Sequence, residues 1–345
     1  NMKDKSQAEK TAAERQVELL STALGSAPSA NGYWLNASGK TYPSFYPKGL
    51  TVSPFNALIM SLHSDKSGSK TNLFMLFSEA KRQGVAVREH ERGVPFLFYN
   101  WNQYVNRNNP KDIISRNDYQ ALDVEQQKQY KGVHNREIRT LFCIDQTTMP
   151  FANEKEYKKL LADYGTAEER GQGEGDDRAM HVSFNDFLLE MRDNLVPIRT
   201  DGSGVAHYDT EKDAVYMPRQ KDFEHYNDYV QETLRQIVSA TGHQQRLARE
   251  GMVMKNGTAP SEDAIKKERL VAELASGVKM LELGLPARLS EEGLHLTDYW
   301  VRELKENPCL IDAVESDVNN ALLVMRKAEQ GEKIEYSTMR NQRET

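Results

Sequence analysis

Within the stretch Tyr229–Leu247, YVQETLRQIVSATGHQQRL, Arg235, Gln236 and Ser239 stand at i, i+1 and i+4, a spacing with which one helix can aim side chains at a common point. With His, Glu and His in those places, two imidazoles would hold zinc and the carboxylate between them would take a proton from bound water. Arg235 instead brings a permanent cation, Gln236 an amide that accepts no proton at neutral pH, and Ser239 a neutral hydroxyl. A catalytic zinc needs about three protein ligands, so these residues imply no metal, no cofactor and no general base. On the residues alone the stretch also reads as an amphipathic core helix. His207, His225 and His243 lie in the same half of the chain. His225 and His243 would be about 27 Å apart along a continuous helix, so no pair has a ligand spacing. Cys143 and Cys309 sit far apart in apolar surroundings and read as reduced core thiols.

The elements that must position these residues follow from periodicity. In the second half a helix is expected over Ser183–Asn194, a β-rich passage over Val205–Met217, and helices over Phe223–Thr241, Ser261–Gly284, Glu292–Glu306 and Pro308–Gln330. Leu270, Leu274, Val278 and Leu281 form the buried stripe of the second of these, and Glu273 lies beside it. A lone Glu there reads as an ion-paired helix residue, with Arg235 its natural partner. In the first half, Ser6-Gln7-Ala8-Glu9 is a capping box opening a helix to about Leu24. Helices over Ser53–His63 and Leu73–Gln83 are expected next, then a hairpin of Val85–Val87 with Val94–Trp101 joined by Arg88–Gly93, and a polar excursion, Asn102–Asn135, carrying a helix over about 117–131. Glu137–Ile144 reads as a closing strand, and the glycine-rich acidic run within Gly165–Asp177 as a linker. The expected fold class is α+β: a small α+β N-terminal domain (1–165), a linker (166–177) and a mostly helical C-terminal domain (178–345).

Charge divides the same way. Residues 1–165 hold 22 Lys and Arg against 17 Asp and Glu, a surplus of +5; the remaining 23 against 34 give −11, and together they make the chain's −6. A basic half favours a polyanionic partner and an acidic half repels one. At 38% hydrophobic residues, with no apolar run near the roughly 18 residues of a membrane span and a charged N-terminus without an apolar h-region, the expected location is the cytoplasm, with no membrane partner.

The frame around Arg235 resembles the ArdC-type antirestriction family, whose zincin-like domain carries a segment T-L-x-H-E-L-x-H-x-T-G-H-x-x-R-L. Aligned on Thr241-Gly242-His243 and Arg246-Leu247, the two metal-binding His of that family become Arg235 and Ser239, and its catalytic Glu becomes Gln236. Its third ligand, in a helix reading L-V-A-E-L, matches Glu273. Tyr208, Met217-Pro218 and Tyr229 fall at the family's spacings. In the N-terminal half, Asn36–Gly39 with Tyr42 resembles the family's N-x-x-T-G-x-x-Y, with Ser38 for Thr, and Pro54-Phe55-Asn56 its G-I-N. The turn Arg88–Gly93 resembles V-x-K-G-E-K-G, keeping Arg92 and Gly93 but placing Glu89 and His90 where the family has Lys and Gly. Phe74 stands where the family has Trp, Phe77 keeps its Phe, and Asp145-Gln146-Thr147 matches the exit of the last strand.

The resemblance implies a single-stranded DNA-binding module joined to a zincin-like domain without its zinc ligands, in a protein of plasmids and conjugative elements that protects entering DNA from restriction. Stacking candidates for bases are Trp34, Tyr42, Phe74, Phe98, Tyr99 and Trp101, and phosphate candidates are Lys48, Arg88 and Arg92. In an alternating strand about half of Phe96, Phe98, Tyr99 and Trp101 must face the core. Two other readings stay open: a scaffold whose cleft binds a protein or peptide partner, and a hydrolase with a different metal site.

Overall fold

A computed structural model describes residues 2–36, 38–48, 52–171, 177–255 and 257–334; the side chains of 2–9, 99–102, 134–136 and 177–181 lie outside that description. Helix α1 (Met2–Ser26) leads into β1 (Tyr33–Leu35), β2 (Ser44–Phe45), α2 (Pro54–Lys66), β3 (Leu73–Leu76) and α3 (Phe77–Arg82). A long ribbon of β4 (Val94–Asn106) and β6 (Tyr130–Cys143) encloses β5 (Ile113–Ser115), α4 (Arg116–Ala121) and α5 (Val124–Gln127) at its far end, and α6 (Met149–Ala152) and α7 (Glu154–Tyr164) follow. The second half contains α8 (Asp177–Asn194), β7 (Ile198–Thr200), β8 (His207–Asp209), β9 (Ala214–Met217), α9 (Tyr226–Thr241), α10 (Glu262–Glu282), β10 (Ala287–Arg288), α11 (Glu291–Glu306) and α12 (Leu310–Glu329). The fold is α+β, with a mostly helical C-terminal region. Among the described residues no helix is long and apolar enough to cross a membrane.

The main sheet has the order β2-β3-β6-β4-β5, with only the β2–β3 pair parallel. Leu73–Leu76 is thus a strand where a helix was expected. Four consecutive large apolar residues cannot be divided between a wet and a dry helix face; as a strand the run pairs with β6 and is covered on both faces, Phe74 in the main core and Leu73 and Met75 against α7. The expected hairpin of 85–87 with β4 is also replaced, because β4 pairs with β6 along its length and Val87 makes one isolated bridge to Thr147. The expected helix over 117–131 is two short ones, because Asp123 caps a new helix by accepting from the Gln126 amide at 2.8 Å.

One apolar core runs through both halves, joining Leu20 of α1, Phe55 of α2 and Phe96 of β4 to Leu234 of α9, Val278 of α10 and Val318 of α12. α1 packs on α11, and α2 on α10 and α12. β1 pairs antiparallel with β10, so a strand of the first half has its partner in the second. A smaller cluster, including Met75, Val85, Ile144 and Leu160, fills the space between β3 and α7. The start of the glycine-rich stretch is tied down: the Ala167 amide donates to Ser38 O at 3.2 Å and Arg170 Nη2 to Gly39 O at 2.7 Å. Residues 172–176 of the expected linker lie outside the described residues.

Candidate functional site

α9 buries Val230, Leu234, Ile237 and Val238, the i, i+4, i+7, i+8 stripe of a core-facing helix. That stripe turns Arg235, Gln236 and Ser239 toward a cleft of about 790 Å³ between α9, α10, the start of α11 and the loop ahead of β8. Arg235 fills the point at which its neighbours converge. Its Nε donates to Glu273 Oε2 at 2.9 Å, its Nη1 to Glu232 Oε2 at 2.8 Å, and its Nη2 to the Arg288 carbonyl. Burial by itself would lower the guanidinium's affinity for its proton, but Glu273 and Glu232 outweigh it, so the pKa is raised and the cation persists. The second oxygen of Glu273 accepts from the Ser290 amide at 2.9 Å and from the Ser290 hydroxyl, which also caps α11 by accepting from the Gly293 amide. A Cβ on Gly293 would meet Glu273 Oε1 at 2.6 Å, so a larger residue there would displace the carboxylate. Gln236 donates to Glu232 Oε1 at 2.7 Å. Sequence reasoning missed Glu232 and Ser290. The i, i+3 spacing of Glu232 to Arg235 was a usable signal; Ser290 had none.

The residues flanking this point form a second buried frame. Arg246 holds Asp213 through Nη2 at 2.7 Å and donates to Leu195 O, and the Tyr208 hydroxyl donates to the same Asp213 oxygen at 2.6 Å. Arg249 holds Glu268 through two hydrogen bonds, with Nη1 donating to Thr241 Oγ1 at 2.8 Å. His243 is buried against Tyr208, while His225 and His207 are exposed, the latter stacked on Tyr216. Among the described residues no three His, Cys, Asp or Glu side chains come together as a metal site.

The expected nucleic-acid residues are dispersed. Trp34 and Phe74 are buried, and a Cβ on Gly277 of α10 would run into the Trp34 ring, so neither aromatic can stack on a base. Tyr42 packs against the core, and burial, followed by the nearby Glu282, pushes its hydroxyl well above the usual phenol range. Phe98 is half-buried with the Arg139 guanidinium 5.7 Å above its ring, a pairing the sequence did not reveal. Arg88, Arg92 and Lys48 are exposed; Arg88 is paired to Glu91 at 2.6 Å. The side chains of Tyr99 and Trp101 lie outside the described residues.

Comparison with known proteins accounts for both halves. The profile of the N-terminal domain of anti-restriction factor ArdC matches residues 13–142, and that of a zincin-like metallopeptidase matches residues 190–315. Two solved structures of the antirestriction ArdC protein from plasmid R388 have the same fold. The metal-free one superposes with a TM-score of 0.59 at 17% identity, covering 92% of this chain and 98% of that one. The Mn(II)-bound one gives 0.60 at 17% identity, over 91% and 97%. No curated protein sequence matches the chain. The chain belongs to the ArdC-type family.

A zincin-like frame implies zinc, and the donors here do not fit it. In this ArdC-type chain the converging groups are one guanidinium, two carboxylates already bound to it, an amide and a hydroxyl. Thr241 with Arg249 and Arg246 with Asp213 hold the end of α9 beside this centre.

Proposed function

We propose that this protein binds single-stranded DNA through its ArdC-like N-terminal part, residues 1–165, and that its zincin-like part, residues 178–345, is a peptidase fold without peptidase chemistry. The observation that carries the reading is the Arg235 guanidinium between Glu232 and Glu273, a cation belonging to the chain in the cleft beside α9 and α10. With Gln236 in the position of a general base, the side chain that would take a proton from a zinc-bound water is an amide that accepts none at neutral pH. Binding is the activity left, and the +5 half with exposed Lys48, Arg88 and Arg92 suits a phosphate backbone. By analogy with the plasmid-borne ArdC protein, the biological setting would be a mobile element in the cytoplasm whose entering single strand is shielded from restriction.

Polarization titration of the full chain with a labelled single-stranded oligonucleotide and with duplex tests the reading. Affinity should favour the single strand and fall with salt, at a log–log slope of about −0.7 per phosphate contact. Arg92→Ala should reduce that slope by about one contact, and Glu89→Lys should strengthen binding. Absence of binding at low salt would leave the scaffold reading, which the open cleft of about 790 Å³ favours.

A further inference from the structure

We propose that a cavity at the free edge of the main sheet, between β2 and α7, accepts one nucleotide of a bound single strand, with its base inside and its phosphate at Lys48 and Lys159. The cavity is about 430 Å³, within the usual range of small-ligand sites. Tyr46, Leu73, Leu160 and Tyr164 supply apolar and aromatic walls, and exposed Lys48 and Lys159 line it as well. The walls are anchored: the Tyr46 hydroxyl donates to Glu156 Oε1 at 3.4 Å, and Thr41 Oγ1 donates to Tyr164 O at 3.2 Å.

The backbone adds polarity of the right kind. The amides of Ser44 and Tyr46 donate inward to Asn72 O and Phe74 O, so strand alternation turns the N–H and C=O of Phe45 outward along the edge. A donor and an acceptor side by side suit the hydrogen-bonding edge of a base, and Asp163 on the cavity wall can accept from an exocyclic amino group. A phosphate alone would use the lysines and leave the aromatic walls idle. An apolar ligand would use the walls and leave the lysines and Asp163 idle. A nucleotide uses all of them, and base contact with aromatic walls is tolerant of sequence. Trp34 and Phe74 are lost as stacking groups through burial, and this edge supplies aromatic surface beside Lys48 in their place.

This inference rests on the single-stranded DNA reading, and the test separates the two. The full chain is titrated with a single-stranded oligonucleotide, with a strand of equal length and charge made of abasic sites, and with inorganic phosphate. Lys48→Ala and Lys159→Ala are titrated beside it, each checked for an unchanged thermal midpoint. The abasic strand should bind at least about fivefold more weakly than the natural one, and each variant should lose about threefold or more for the natural strand at low salt. A strand carrying 5-iododeoxyuridine should photo-cross-link to Tyr46 or Tyr164, and inorganic phosphate alone should not displace it. Natural strand bound as tightly by both variants as by the wild type, with cross-links elsewhere, would overturn the pocket and leave the DNA reading standing. Equal affinity for the abasic strand would reduce the site to a phosphate contact and also overturn it. No binding of any single strand by the wild type would sink both.

Discussion

At the scale of single residues, Arg235 supplies a buried positive charge where Glu232 and Glu273 converge. It neutralises two carboxylates, and it anchors the β10 backbone through the Arg288 carbonyl. With the Glu273 side chain only 3% exposed, Arg235→Ala should leave a buried, unpaired carboxylate and cost about 3–5 kcal/mol in urea unfolding. A loss below about 1 kcal/mol would mean that the pair is incidental. Arg235 and Glu273 could be paired from the sequence because each lies on a long periodic helix. Ser290 and Gly293, which fix the other side of Glu273, could not, since they precede and open α11 and no periodicity aims them at α10. Composition misled for Trp34. An aromatic in a loop-rich stretch looked available, but its site on α10 is shaped by Gly277, 243 residues further along the chain. Trp34→Ala should therefore cost about 3–5 kcal/mol of stability and leave the salt slope of DNA binding unchanged. A stacking role would show the opposite pattern.

At the scale of elements, long amphipathic helices were legible and short apolar runs were not. α2, α9, α10, α11 and α12 lie within a few residues of their expected spans; α11 and α12 carry a one-sided stripe over four or more turns, whereas α2 and α10 are buried all round over 55–64 and 270–281. β3 was read as helix because four apolar residues in a row carry no period, and its strand identity comes from β6, about 70 residues away. Packing of these elements also sets a pH response. His63 on α2 lies against Gln146, with Nε2 3.0 Å from Oε1, and its Nδ1 faces Arg15 at 3.4 Å. Burial holds both His63 and His243 below the ordinary imidazole value of 6.5, so the unfolded chain binds their protons more readily than the folded one. Their contribution to stability is complete above pH 6.5 and is lost as pH falls through the lowered values. Urea midpoints should thus drop between pH 7.5 and 5, and His63→Gln should flatten the dependence. A midpoint constant over that range would contradict the burial of these two imidazoles in the neutral form.

At the scale of the whole molecule, the two family segments share one core and one strand pair, so the cleft and the main sheet belong to a common framework. β10 makes that connection concrete. The Arg288 carbonyl receives Arg235, and its guanidinium lies 5.1 Å over the Tyr33 ring and donates to Asn31 O at 3.0 Å. The contrast of +5 and −11 between the halves was visible in the sequence, but the shared core was not, because the glycine-rich stretch suggested separation. If the Arg235 guanidinium excludes a metal ion from this cleft, metal analysis shows it most directly. The full chain, purified without chelator and then equilibrated with Zn²⁺ and desalted, should retain well under one zinc per chain. Arg235→His combined with Ser239→His, which would complete a three-ligand set with Glu273, should raise retention toward one, with no single change sufficient. Stoichiometric, tightly held zinc in the unaltered protein would contradict it.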